Sequence, residues 1–339
     1  MNTQALLEAV NQICLNRGIN PDDVFEALKE ALKEAYVKEH PDANVTVDIN
    51  RKEGKISIYV RKTVVKKVEN PDTELSIKDA EKYVKNIKEG AVLEIEIPVG
   101  ALGRIAANVT KRTLNKVLLD AELKAIADYY SQYLGQAISG KILFIRKDKI
   151  VVELEKGNAD FPKEEQIENE FYELNKRYKF LVKEVINEKH NRRIILSRSD
   201  PDFITALFKI EVPELRSGQV DIIKIARIAG KRTKVAVRAL DTSIDPVGTL
   251  IGPKGMRIAS LMQELPEESV DVVKWDASPT TYITNALSPA KVVDIKLNEK
   301  KKQATVKVAE DQYEIALGKE GLNVKLAEML TGYSLDIVK

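Results

Sequence analysis

The sequence predicts an α+β protein of several domains: an α/β head ending in a long connecting helix, a small five-stranded barrel, and two successive copies of one mixed unit. Three observations carry this. The four-residue loop Gly252-Pro253-Lys254-Gly255 and its surroundings recur 318 − 252 = 66 residues later, around Gly318-Lys319-Glu320-Gly321. The stretch Leu102 to Leu134 keeps helical apolar spacing, interrupted only by Gly103. Between that stretch and the repeats, short strand-like runs replace helical periodicity. A chain of 339 residues has room for two to four domains.

The head opens with a helical stripe, Leu6, Val10, Ile13 and Cys14. A second helix starts at Asn20-Pro21-Asp22-Asp23, where Asn20 caps, Pro21 sits in the first turn and the acids complement the dipole. Its stripe is Val24, Leu28, Ala31, Leu32 and Ala35. Strands follow at Val45 to Ile49 and Ile56 to Val60, turning at Arg51 to Gly54, with a third run from Thr63 to Val68. Ser76 caps a short helix, and Val92 to Ile97 is another strand.

The long helix carries apolar residues at Ile105, Val109, Leu114, Val117, Leu118, Ala121, Ala125 and Ile126, and Gly135 ends it. About 30 residues of helix span roughly 45 Å, longer than a small domain is wide, which suggests a strut; two ordinary helices with a break are the alternative. Strands then fall at Lys141 to Ile145, Ile150 to Leu154, Tyr178 to Ile186 and Arg193 to Ser197, with a loop carrying Phe161-Pro162. Such a set resembles an S1-type OB barrel, a fold that binds single strands on a basic, aromatic-bearing face. Phe144, Arg146 and Lys147 on its first hairpin are the candidate contacts, beside the alternative of a purely structural barrel.

Each repeat reads helix, strand, strand, helix, GxxG, helix, strand. The first runs from a helix at Phe203 to Lys209 through strands at Gln219 to Ile228 and Thr233 to Leu240, then the loop, then Val270 to Val273. The second has its helix at Thr281 to Leu287, its strands at Lys291 to Leu297 and Ala304 to Val308, and closes on Leu335 to Val338. The helices after the loops present Ile258, Leu261, Met262 and Leu265, and Val324, Leu326, Ala327 and Leu330. This is the order of the type II KH domain, twice in tandem. A lone GxxG is a common turn, but repetition with matching surroundings is not.

Glycine corners let the loop approach another chain closely, and the following helix aims its free N–H groups at that place. Such a loop clamps about four nucleotides of a single strand. The candidate RNA-binding residues are Gly252, Pro253, Lys254 and Gly255 with Arg257, and Gly318, Lys319, Glu320 and Gly321 with Lys325. Glu320 opposes a phosphate, so the second loop is expected to grip less firmly. Lys231 and Arg232, at the turn between paired strands of the first unit, are further candidates; solvated hairpin tips are also often basic.

The net charge of +2 does not by itself advertise nucleic-acid binding. One cysteine excludes disulfides within the chain, and two histidines with one cysteine cannot make an ordinary zinc set, so no metal, cofactor or catalytic residue is expected. His40 and His190 lie among polar neighbours and are expected at the surface. Met1 to Leu15 does not read as a secretory signal and no run is long enough to span a bilayer, so the expected location is the cytoplasm, without membrane association.

Several strings then carry a resemblance. Gly103 to Ala107, Leu196-Ser197-Arg198 followed by Phe208 to Leu215, Gly230 to Val235, Asp245 to Gly248, Val272 to Trp275 and Asn285 to Ala290 are similar to the NusA family of bacterial transcription factors. Leu102, Asn108 and Leu322 depart from the residues usual there. The resemblance implies an RNA polymerase-binding head at 1–134, an S1 domain at 135–200, and KH domains at 201–277 and 278–339. It implies binding of nascent single-stranded RNA by the S1 and KH domains, modulation of pausing, termination and antitermination, possible contact with other Nus-type factors, and a monomer. A ribosome-associated or general RNA-binding protein or chaperone is the alternative. A nuclease reading fits less well, because the acids are scattered along charged helices and the chain has no room for a large catalytic core.

Overall fold

The computed structural model describes residues 8, 10–12, 14, 20–50, 55–97, 103–188 and 191–339, without the side chains of 103–107, 110 and 114. Leu6, Ile13, the turn at 51–54, Leu102 and His190 therefore lie outside the described residues, as do the side chains of Ile105 and Leu114. The chain divides into two compact units, Met1–Ala125 and Ile126–Lys339.

In the first unit, helix α1 (Pro21–Glu39) begins where the Asn20 side chain accepts from the Asp22 N–H at 3.0 Å. Its buried face is Val24, Phe25, Leu28, Leu32 and Tyr36, with Val10 and Cys14 in the same core. Strand β1 (Asn44–Asn50) buries alternate residues, so Val45, Val47 and Ile49 face that helix stripe across the core. It pairs antiparallel with β2 (Lys55–Val65), to which β3 (Glu74–Ser76) adds in parallel and β4 (Val92–Ile97) antiparallel. The two runs expected at Ile56 to Val60 and Thr63 to Val68 are largely this one strand, since Arg61 and Lys62 carry no turn signal. Ser76 caps α2 (Ile77–Ala80), its Oγ accepting from the Asp79 N–H at 3.1 Å. His40 does not stand idle at the surface: it stacks on Tyr36 at 4.6 Å and its Nδ1 lies 2.8 Å from Asp72.

Helix α3 (Gly103–Ser131) is a continuous 29-residue helix. Val109 and Val117 pack on the head core, whereas Ala125, expected on the buried stripe, is exposed. In the second unit its last turns present Ile126 and Tyr130 to the barrel core.

The barrel comprises β5 (Ala137–Ile145), β6 (Lys149–Glu153), β7 (Asn158–Pro162), β8 (Arg177–Glu188) and β9 (Asn191–Ser197), closed in the order β5-β6-β7-β9-β8. That is the connectivity of an OB-type barrel. The segment expected as a loop at Phe161-Pro162 is β7: Ala159 and Phe161 alternate inward, and proline is tolerated because it is the strand's last residue. Phe161 meets Phe180 edge-on at 5.0 Å in the core.

Next come α4 (Pro201–Glu211), α5 (Pro213–Arg216), β10 (Val220–Ile228), β11 (Arg232–Ala239), α6 (Pro246–Ile251), α7 (Met256–Glu264) and β12 (Ser269–Lys274). The second repeat follows the same order without a counterpart of α5: α8 (Pro279–Ala286), β13 (Val292–Asn298), β14 (Gln303–Val308), α9 (Glu310–Leu317), α10 (Leu322–Thr331) and β15 (Ser334–Val338). In both, the first two strands pair antiparallel and the third joins the second in parallel. Leu261 and Leu265 are buried as expected, but Met262 is exposed.

Candidate nucleic-acid interface

Each GxxG loop is built by a helix that stops and another that starts within four residues. The Asp245 side chain caps α6 by accepting from the Val247 N–H at 3.1 Å, and α6 ends at Gly252. Gly252 has φ 77°, ψ 171°, Lys254 φ 54°, ψ 24°, and Gly255 φ 76°, ψ 15°. In the second loop Gly318 has φ 72°, ψ 169°, Glu320 φ 56°, ψ 23°, and Gly321 φ 70°, ψ 13°. The two backbones are thus alike residue by residue, and the first glycine of each holds a conformation nearly closed to other residues.

Those first glycines are also required by packing. A Cβ on Gly252 would lie 2.6 Å from Cγ of Arg257, and one on Gly318 would lie 2.7 Å from Cβ and 2.9 Å from N of Asn323. Arg257 and Asn323 occupy equivalent places, 257 + 66 = 323. Each braces the preceding helix: Arg257 Nη1 donates to the Thr249 carbonyl at 2.7 Å, and Asn323 Nδ2 donates to those of Ala316 at 3.0 Å and Ile315 at 3.4 Å. Asn323 Nδ2 also reaches the Leu287 carbonyl at 3.1 Å.

The tips face solvent. Pro253, Lys254, Lys319 and Glu320 are exposed, and Lys254, Lys319 and Lys325 have no ion-pair partner among the described residues. Arg257 differs: its guanidinium bonds the Glu214 carboxylate at 3.1 and 3.2 Å, so it supports the loop from behind. Hydrogen bonding to its own backbone N–H, with Arg257 adding to it, holds the Glu214 carboxyl below the usual range. Arg232 is likewise engaged, with Asp271 at 2.8 Å. Lys231 stays exposed, its Nζ 3.5 Å from Glu320 of the second loop.

The barrel and the two repeats are joined without a loose linker. Buried Arg198 donates to both carboxylate oxygens of Glu170, to the Lys179 carbonyl at 2.6 Å, and to the Glu264 carbonyl at the end of α7 at 2.7 Å. Buried Arg227 binds Glu268 at 2.8 and 2.9 Å and the Asp200 carbonyl at 2.6 Å. The repeats share one core, in which Ala226, Ala236 and Val273 of the first meet Leu326, Ala327 and Leu330 of the second. Lys234 donates to Asp271 of its own repeat at 3.1 Å and, across to the second, to the Ser288 carbonyl at 2.9 Å; burial lowers its pKa, and Asp271 offsets part of that.

On the barrel, Phe144 is 58% exposed, and Arg146 and Lys147 are exposed at the following turn. Phe171, 89% exposed, and Leu174 were not anticipated. They lie on the loop whose Asn175 N–H donates to the Ile142 carbonyl, so that loop runs beside β5. The spacing of its apolar residues follows neither a strand nor a helix period, so nothing local marks them. No cluster of three or more His, Cys, Asp or Glu side chains able to hold a metal occurs among the described residues. None of their helices is long and apolar enough to cross a membrane.

Sequence models of the NusA N-terminal domain, the NusA-like first KH domain and the NusA-like second KH domain match residues 5–124, 198–275 and 279–339. Among curated proteins, the transcription termination/antitermination protein NusA of Bacillus subtilis is 37% identical over 98% of this chain and 90% of its own. Its namesake in Thermus thermophilus is 36% identical over 97% and 88%, and that of Halalkalibacterium halodurans 36% over 99% and 88%.

Proposed function

The chain belongs to the NusA family of transcription termination/antitermination proteins, and from that premise we propose that it is an RNA-binding elongation factor working by tethering. The head at 1–134 binds RNA polymerase, while the S1 domain at 135–200 and the KH domains at 201–277 and 278–339 hold single-stranded nascent RNA. Holding both raises the local concentration of one for the other, so individually weak grips combine. Pausing, termination and antitermination are then modulated by binding rather than by chemistry. The protein acts in the cytoplasm as a monomer, with other Nus-type factors as further partners.

The single observation that carries this reading is the pair of matching GxxG loops, exposed at their tips and fixed in neighbouring units that share a core. Lys254, Lys319 and Lys325 are exposed cations for phosphates, and α7 and α10, which carry no side-chain cap, direct the positive ends of their dipoles at the loops. Arg257 enters as a positioning residue for the first loop. Phe144, Arg146 and Lys147 extend the path on the barrel.

The test is a fluorescence titration of labelled single-stranded RNA with the Pro253→Asp, Lys254→Asp double variant. Most of the affinity should be lost while the melting transition is retained; unchanged binding refutes the assignment. Capture of core polymerase by the full chain, with ribosomes as the competing bait, separates an elongation factor from a ribosome-associated protein.

A further inference from the structure

Equivalent positions of the two loops carry opposite charge. Lys254 and Glu320 are 66 residues apart, and their backbones agree within 2° in φ and 1° in ψ. The first loop therefore offers a cation where the second offers an acid. Yet the second loop has a cation beside that acid, and it comes from the other unit: Lys231 Nζ is 3.5 Å from Glu320 Oε2.

The turn that bears Lys231 is held firmly. The Gly230 N–H donates to Glu268 Oε2 at 2.9 Å, and a Cβ on Gly230 would meet Ile167 of the barrel at 2.6 Å. The Lys231 backbone is thus pinned between barrel and repeat while its side chain remains 48% exposed, against 62% for Glu320. An ion pair this long and this exposed is weak and exchanges readily for a better anion. A phosphodiester arriving at the loop is such an anion, and Lys319 and Lys325 remain to attract it.

Resting on the reading that the GxxG loops hold RNA, we infer that the second loop is a composite site. Lys231 of the first KH unit supplies its missing cation, and Glu320 is a resident phosphate mimic that the strand must displace from Lys231. The acid weakens the second grip and makes it depend on the first unit's hairpin.

The experiment titrates the full chain into a labelled single strand of roughly 20 nucleotides, several times the about four that one loop clamps. Variants are Glu320→Gln, Lys231→Met and both together, with Pro253→Asp, Lys254→Asp as reference and thermal melts run alongside. Glu320→Gln should tighten binding about three- to tenfold, by removing one like charge near a phosphate. Lys231→Met should weaken binding, and by about two- to fivefold more when residue 320 is Gln than when it is Glu, because the lysine is then no longer shared. An unchanged or weaker affinity for Glu320→Gln overturns the proposal. So does a Lys231→Met cost that is equal or smaller when residue 320 is Gln. Binding that ignores the Pro253, Lys254 reference, or no binding by the parent chain, takes down the RNA reading itself. Binding that needs Pro253 and Lys254 but not this exchange removes only the composite site.

Discussion

Alanine at the four loop glycines separates what the loop conformation requires from what its packing requires. All four have φ between 70° and 77°, but only Gly252 and Gly318 combine it with ψ near 170°, a region essentially reserved to glycine. Strain there costs about 1–3 kcal/mol. At Gly318 the new Cβ also meets Asn323 Cβ at 2.7 Å and its backbone N at 2.9 Å, and three carbonyls hold Asn323 in place. At Gly252 the obstacle is the Arg257 stem: Cγ and Cδ can swing aside at the expense of the bonds to Glu214 and Thr249, while Cβ, 2.9 Å away, moves only with the backbone. Gly255 and Gly321 have open space around the Cβ position, so left-handed strain of about 1–2 kcal/mol acts alone. Alanine also stiffens the unfolded chain, returning about 0.4–1 kcal/mol. The net expectation is a loss of roughly 3 kcal/mol for Gly318→Ala, about 2 for Gly252→Ala and about 1 or less for Gly255→Ala and Gly321→Ala. Urea denaturation followed by circular dichroism measures the order directly. Equal midpoints for Gly318→Ala and Gly321→Ala refute the packing argument.

Arg198→Met should destabilise the second unit by about 2–4 kcal/mol in the same denaturation, because it leaves the partly buried Glu170 carboxylate with the Tyr172 hydroxyl but no cation and frees the end of α7. Arg198→Lys should rescue little, since one ammonium cannot reproduce the guanidinium's fork. Burial pushes the Tyr282 phenol, which donates to the Leu330 carbonyl at 3.3 Å, up to about 12. Ionisation is then easier in the unfolded chain than in the fold. The stability conferred by the protonated phenol is complete below pH 10 and is lost between pH 10 and about 12. Tyr282→Phe should abolish that alkaline decline, on the order of 3 kcal/mol, in denaturation curves taken across that range, while costing about 1 kcal/mol at neutral pH.

Much of this was legible because it is local. Asn20-Pro21 fixes the start of α1, alternation fixes β1, and the 66-residue recurrence exposes the paired loops before any contact is known. What escaped depends on partners far along the chain. Arg257 reads as a free cation beside a glycine loop until Glu214, 43 residues away, is found against it. Lys231 and Arg232 read as an exposed basic tip. In the fold Lys231 is exposed but Arg232 is paired with Asp271, because the tip turns directly into a strand whose next residues, Thr233 and Lys234, are buried. Phe161-Pro162 reads as a loop because proline is a turn signal, and only the pairing of β7 with β6 overrides it.

The central claim is that one RNA strand is gripped by both loops at once. Titrations of the parent chain, of Pro253→Asp, Lys254→Asp, of Lys319→Asp, and of all three changes together should be compared on a strand of roughly 20 nucleotides and on one of about four. Shared grip predicts that the long strand binds the parent at least about tenfold more tightly than the short one. Damage to either loop should bring the long strand down towards the short-strand affinity, and damage to both should leave almost none. Equal affinity for the two lengths, or full long-strand affinity with one loop disabled, would contradict it.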